Sequence, residues 1–346
     1  MCEKVFHPNS EFTKYNGTRL VPKLKQFGSM ITGLALETSD MDLAVTNLNL
    51  PDRDTMIQGL ELLSDELKSD SLIKNLHAIT TAAIPVIKAE VDLNQLRRES
   101  LKEGEEFEDL PESLMLLKID ITFDDNLESG KYDVDDFYHY ISGFTSPHMS
   151  LTQQPHNHSY YSAHYGSHFQ QKSHQGLASC KLIKHYVEKY RCLKEVAIVM
   201  KQFLAKMGLN QPYLGGLSSY STVLLIVAYM NRWSLQISRT LSPARLLMGF
   251  LDYFSYYFKV ELQGIDVTNG GSFFDHPIPE TNFVILDPIN DQDNNTSKNS
   301  YMTRQILQSF RMAFNTLKQY KAQYINQMNP NITDNLLSVI LETKTQ

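Results

Sequence analysis

Three aspartates carry the chemical signal of this sequence. Gly28-Ser29 is followed, after a short segment, by Ser39-Asp40-Met41-Asp42-Leu43, and a third acid, Asp120, stands in the run LLKIDITF. Side chains alternate between the two faces of a strand, so Asp40 and Asp42, one residue apart, point the same way and can share hard divalent cations through oxygen ligands. Asp120, between Ile119 and Ile121, is costly to bury without a cation or a partner. A Gly-Ser pair opening a helix can bring backbone N–H groups and a hydroxyl against phosphate oxygens. Taken alone, a Gly-Ser pair means little and an Asp-X-Asp commonly marks a surface turn. The third acid gives the pattern weight, because two-cation phosphoryl chemistry needs about three convergent carboxylates. One cation activates an attacking hydroxyl while the other stabilises the leaving oxygen.

The elements that must position these residues show in the periodicity. Met41 to Val45 alternates as a strand, and AIPVIKAEV (Ala83 to Val91) and LMLLKIDITF (Leu114 to Phe123) are apolar or β-branched enough for a covered sheet. Glu99 to Glu112, charged and without apolar period, reads as a solvated loop between those two strands. Leu177, Cys180, Ile183, Val187 and Tyr190 fall at helical spacing, as do Leu193, Ala197, Met200, Leu204 and Met207, which predicts two amphipathic helices. Gly208 stands where a C-terminal cap is wanted, Pro212, Gly215 and Gly216 make a loop, and Ser218 or Ser219 caps a buried helix. Phe250, Tyr253, Phe254, Tyr257 and Phe258 follow a helical stripe that reads as core packing. Seven of the 11 histidines lie in the biased stretch 128–175 at irregular spacings, without Cys or carboxylates in register, so that stretch is expected to be a flexible insertion and not a metal site.

With 32 Lys and Arg against 39 Asp and Glu, the net charge is −7, and 42% of residues are apolar. That balance excludes a wholly disordered chain, and only 3 cysteines exclude a disulfide-stapled secreted module. The length suits two packed domains. The longest apolar run, Val223 to Met230, is far shorter than the ~20 residues that span a bilayer. The opening MCEKVFHPNSEFTKY lacks the apolar core of a secretory signal, so an intracellular protein of nucleus or cytoplasm, with no membrane partner, is expected. Net acidity argues against a surface that coats nucleic acid throughout but leaves room for a local basic cleft.

FGSMITGLALETSDMDLAV, with LKIDITF downstream, resembles the catalytic signature of DNA polymerase β-like nucleotidyltransferases. The stretch from GLASCKLIKHY through GLNQPYLGGLSSYSTVLLIVAYM resembles the central domain of noncanonical poly(A) polymerases and terminal uridylyltransferases, and GIDVTNGGSFFD with ILDPINDQDNNTSKNSY resembles that family's nucleotide-recognition region. The resemblance implies an α+β fold in which a mixed-sheet nucleotidyltransferase palm (20–127), the insertion (128–175), a mainly helical central domain (176–322) and a C-terminal tail (323–346) follow one another, with a cleft between palm and central domain. It implies that Gly28 and Ser29 cradle a triphosphate, that Asp40, Asp42 and Asp120 are catalytic and hold two Mg²⁺ ions, for which Mn²⁺ can substitute, and that Lys201 contacts the outer phosphates. Without the resemblance, Lys201 reads as a snorkelling surface lysine. Ser219 would bond phosphate, Tyr220 would stack on the base, and the Asn294-Asn295 loop would read it.

The activity so implied is untemplated addition of AMP from ATP to an RNA 3′ end, with UTP as the alternative. Uridine-selective members often carry His where Asn294 stands, and adenylating members often carry Asn; Ser297-Lys298 replaces the family's common Gly-Arg. No zinc knuckle, RNP-like aromatic motif or Arg-rich tail is present, so a separate RNA-binding protein or helicase subunit is the expected partner. Two readings of other classes stand beside this one: a nucleotidyltransferase acting on a small molecule or protein, and an inactive scaffold subunit that keeps the fold.

Overall fold

The computed structural model describes residues 2–7, 10–82, 84–101, 108–124, 175–235, 240–276, 279–289, 295–327 and 336–341. The expected insertion, apart from Gln175, and Asn294 lie outside them. The chain divides into two compact units, Met1–Met30 with Ser39–Leu177, and Ile31–Thr38 with Ala178–Gln346.

The first unit is built on a five-stranded mixed sheet. Its strands are β1 (Lys23–Phe27), β2 (Met41–Thr46), β3 (Ile73–Ile79), β4 (Val86–Asp92) and β5 (Leu116–Phe123), in the order β1-β2-β5-β4-β3. Only the β2–β5 pair is parallel. Helix α1 (Gly28–Thr32) leaves β1 directly, and α2 (Arg53–Leu67) covers one face of the sheet. Asp52 caps α2 by accepting from the Thr55 amide at 2.8 Å, which satisfies one of the first-turn donors. Met56, Leu60, Leu63 and Leu67, at helical spacing, meet Val45, Ile87, Ala89, Ile119, Ile121 and Phe123, one alternate set of strand residues, in the core. The other alternate set faces away from α2, and it contains Asp42, Lys88, Lys118 and Asp120.

Two expectations are corrected here. The expected loop Glu99 to Glu112 begins inside a helix, because Leu93–Ser100 forms α3, capped by Asp92 accepting from the Gln95 amide at 2.9 Å, so Glu99 and Ser100 are helical. No residue of α3 is buried, so it lacks the apolar stripe that would have revealed it. The apolar neighbours of Asp120 say nothing about its burial either: Ile119 and Ile121 point into the core, and Asp120 lies on the opposite face.

The second unit is mainly helical: α4 (Gly176–Lys189), α5 (Leu193–Lys206), α6 (Ser219–Arg232), α7 (Pro243–Tyr256) and α8 (Thr303–Gln327), with a small antiparallel pair β6 (Gln263–Ile265) and β7 (Phe273–Asp275). Every residue of α6 from Ser221 to Met230 is buried, which explains its unbroken apolar run. Ser218 is the cap, accepting from the Ser221 amide at 3.0 Å, and Gly208 ends α5 with a positive φ of 67°. Phe250, Phe254 and Phe258 fill the core, with ring centroids 4.8 Å apart for Phe250–Phe254 and 5.6 Å for Phe250–Phe310. Tyr257 does not join them, because α7 ends at Tyr256 and leaves that ring on the surface. Among the described residues no helix is long and apolar enough to cross a membrane.

Candidate active site

In the first unit the sheet face turned away from α2 carries a charged row. Phe27, Asp42, Asp120, Lys88 and His77 are successive register partners across β1, β2, β5, β4 and β3. Neighbouring strands lie about 4.8 Å apart, so Asp42 and Asp120 stand side by side. Asp40 immediately precedes β2 and is half-buried. Burial, then the charge of Asp120, raises its carboxyl above the ordinary value, while Lys88 and Lys118 pull the other way. Asp40 and Asp120 are therefore electrostatically crowded, as carboxylates gathered for a cation are.

Gly28 explains how Asp42 is placed. Its φ of 73° belongs to the left-handed region, and a Cβ built on it would lie 1.9 Å from Asp42 Oδ2. Only glycine lets the β1–α1 turn close over that carboxylate. Ser29 follows in α1, half-buried.

Lys88 was not singled out from the sequence. Its ammonium forms an ion pair with Asp120 Oδ2; the Lys88 side chain is 46% exposed and that of Asp120 21%, so the pair is partly open to solvent. The available signal was a lysine between the apolar residues Ile87 and Ala89 of a strand, but its partner is 32 residues away. Three oxygen-donor acids, two of them in direct register on one face, fit Mg²⁺ in donor type. Among the described residues no three His, Cys, Asp or Glu side chains already converge into a metal-holding group. Asp120 is turned to Lys88, and Asp42 lies against Gly28.

The second unit holds the other expected residues. Lys201 is not a snorkelling residue: it is buried, and its Nζ donates to the Leu34 carbonyl at 2.6 Å. Ser219, exposed, opens α6, where first-turn amides and the helix dipole favour an anion. Tyr220 follows, half-buried, and its hydroxyl donates to Asp287 Oδ1 at 2.8 Å. Burial first, then Asp287, pushes its phenol far above the usual tyrosine range, so it remains a protonated donor. Asp287 also accepts from the Ile289 amide at 3.1 Å, so one carboxylate fixes both the ring and the turn after it. That role was not visible in the sequence, where Asp287 stands 67 residues from Tyr220.

Asn295 is engaged with its own loop. Its Oδ1 accepts from the Ile285 and Ser297 amides, both at 2.9 Å, and its Nδ2 donates to the Phe283 carbonyl at 2.9 Å. Thr296 ties the same loop to α6 through Ser221, hydroxyl to hydroxyl at 3.0 Å.

Residues 5–99 match the model of the poly(A) RNA polymerase, mitochondrial-like, central palm domain. The chain is 25% identical to the poly(A) RNA polymerase cid14 of Schizosaccharomyces pombe over 339 residues, which is 90% of this chain and 38% of that protein. It is 30% identical to the inactive non-canonical poly(A) RNA polymerase protein Trf4-2 of Drosophila melanogaster over 152 residues, 40% of this chain and 37% of that one. It thus spans well under two thirds of these relatives' lengths. Among solved structures, the polymerase core of TRAMP, a RNA surveillance complex, superposes with a TM-score of 0.62 at 19% identity, covering 93% of this chain and 82% of that one. The structure of mtPAP with ATPγS gives 0.61 at 14% identity over 92% of this chain and 64% of that one. A Cid1 poly(U) polymerase structure gives 0.53 at 18% identity over 93% and 86%. At such identities these likenesses establish the fold. Family model, curated relatives and solved structures agree in what this chain is similar to: noncanonical poly(A) polymerases, whose nucleotidyltransferase fold it shares.

Proposed function

We propose that the protein is a template-independent RNA 3′-end nucleotidyltransferase that transfers AMP from ATP and releases pyrophosphate. The observation that carries this reading is the Asp42–Asp120 register pair, closed by Gly28 and with Asp40 electrostatically coupled to Asp120, in a chain similar to this family. Asp40, Asp42 and Asp120 would hold two Mg²⁺ ions, which when bound supply charge neutralisation at the triphosphate and activation of the RNA 3′-hydroxyl. The chain's own residues do the rest. Gly28 keeps Asp42 at hand, and Ser29 offers a hydroxyl to phosphate. Ser219 at the start of α6 takes phosphate oxygens, and Lys201, whose ammonium also donates to the Leu34 carbonyl, contacts the outer phosphates. Tyr220, held by Asp287, supplies a stacking face that accepts any base. Base identity falls to Asn294, next to Asn295, which is bonded to the Ile285 amide and the Phe283 carbonyl.

ATP is preferred over UTP because Asn stands at position 294. The names of relatives support both donors, since poly(A) polymerases and a poly(U) polymerase are among them. Partner subunits are proposed on the same footing: solved neighbours include the TRAMP polymerase core and a GLD-2/RNP-8 complex. One observation favours a scaffold reading, namely that a 30% identical relative is named inactive. Extension of a labelled RNA oligonucleotide, with Mg²⁺ and each nucleoside triphosphate supplied singly, separates these readings. Ladders with ATP that vanish in Asp42→Ala and Asp120→Ala are expected. Extension with UTP alone would move the donor to UTP, and activity surviving Asp120→Ala would reject the assignment.

A further inference from the structure

The ion pair between Lys88 and Asp120 belongs to the sheet's architecture. The two residues are register partners on neighbouring antiparallel strands, and Asp42 is the partner of Asp120 on its other side, so Lys88 ends a row of acids with its ammonium on Asp120 Oδ2. Around the row, Lys118 lies two residues before Asp120 on the same strand face, with Glu90 opposite it, and His77 stands opposite Lys88. Of these cationic groups Lys88 is the one with an ion pair to Asp120.

We propose that Lys88 and a divalent cation compete for the same carboxylate of Asp120, so that Lys88 is a positioning residue that sets how tightly the acid row takes up metal. This rests on the reading of Asp40, Asp42 and Asp120 as metal ligands. An ammonium and a divalent cation on one carboxylate repel each other, so each weakens the other's hold, and the single charge of Lys88 answers only part of the charge of three acids. Lysine suits an exchangeable place-holder. Its compact point charge sits on a flexible stem, and with nearly half of the side chain exposed it can swing into water, whereas the fork of an arginine would grip the carboxylate with two bonds. While in place, it holds the Asp120 carboxylate oriented beside Asp42. When a divalent cation takes Asp120, the ammonium is freed on the same face of the sheet.

The test is direct binding of Mn²⁺ to the full chain, read from the loss of the free-ion signal in electron paramagnetic resonance at low salt. Lys88→Met and Lys88→Gln are expected to bind Mn²⁺ about three- to fivefold more tightly than the native chain, the range typical of a partly exposed ion pair. Lys88→Arg is expected to bind no more tightly than native. Lys118→Met, which removes an equal charge from the same face without breaking the pair, should change affinity less than about twofold, because solvent screens a charge that has no direct contact. Circular dichroism confirms folding of each variant. No tightening in either Lys88 variant overturns the proposal, and so does equal tightening in Lys118→Met, which would make the effect one of general charge. Native Mn²⁺ binding that is indifferent to Asp120→Ala would instead overturn the metal-ligand reading on which the proposal stands.

Discussion

Gly28 and Asp42 contend for one volume, which makes the smallest residue in the site its most sensitive point. Gly28→Ala puts a methyl group where Asp42 Oδ2 lies and forces a left-handed φ on alanine. The expected result is a folded protein destabilised by about 1 kcal/mol or more, with tailing activity down about 100-fold, since a displacement near 1 Å at reacting groups costs that much. Single-turnover RNA extension beside a urea melt checks both, and near-native activity would mean that Asp42 has no part in the chemistry. Tyr220 is held differently, through its hydroxyl. Tyr220→Ala should weaken nucleotide affinity by about 1–3 kcal/mol if the ring stacks on the base. Tyr220→Phe should retain most of it, because the ring stays and only its tether to Asp287 goes. Equilibrium nucleotide binding measured on both variants decides whether ring or hydroxyl matters, and a larger loss in the Phe variant would reject stacking.

At the scale of elements, α2 offers a cleaner test of local reasoning. Hydrogen bonds from Thr55, first its amide and then its hydroxyl, hold the Asp52 carboxyl below the ordinary 3.8. A carboxylate whose folded value is depressed stabilises the fold above its unfolded value, and that support is lost as pH falls through the folded value. Asp52→Ala should therefore be less stable than native at neutral pH, and the gap should close only below about pH 3.8, with Asp52→Asn, itself a good cap, close to native at neutral pH. Urea melts across pH would show it, and a gap already closed near pH 6 would rule out the cap as its source. The same scale shows what could be read in advance. Period-2 alternation revealed β2, apolar and β-branched runs revealed β4 and β5, helical stripes revealed α4 and α5, and a serine cap ahead of an unbroken apolar run revealed the buried α6. Helix α3 has no buried face and left no stripe. The Lys88–Asp120 and Tyr220–Asp287 pairs join residues 32 and 67 apart, and no local pattern encodes a cross-strand register or a loop folding back on a helix. Asn295 shows a complementary limit: an amide that looks ready to read a base is spent on the Phe283, Ile285 and Ser297 backbone.

For the whole molecule, a net charge of −7 sets the terms of RNA binding. A few lysines on one sheet face make few phosphate contacts, so affinity for a single-stranded oligonucleotide is expected to be weak and to fall about tenfold or more between 50 and 200 mM salt, as for ~3 contacts. Tight binding that resists salt would argue against the need for a separate RNA-binding subunit. The strand order has a further consequence, in time. β5 is the last strand of the sheet along the chain, yet it takes the middle place, between β2 and β4. Until it has been synthesised, the β1–β2 and β3–β4 pairs each present an unsatisfied edge, and Asp42 has no neighbour in register. Nascent palm chains are then at their most aggregation-prone just before residue 116 emerges. A fragment cut at residue 99, where the matched palm domain ends, would stop there for good: two hairpins with bare inner edges, expected to be recovered as aggregates, and to become soluble once the cut is moved past Phe123.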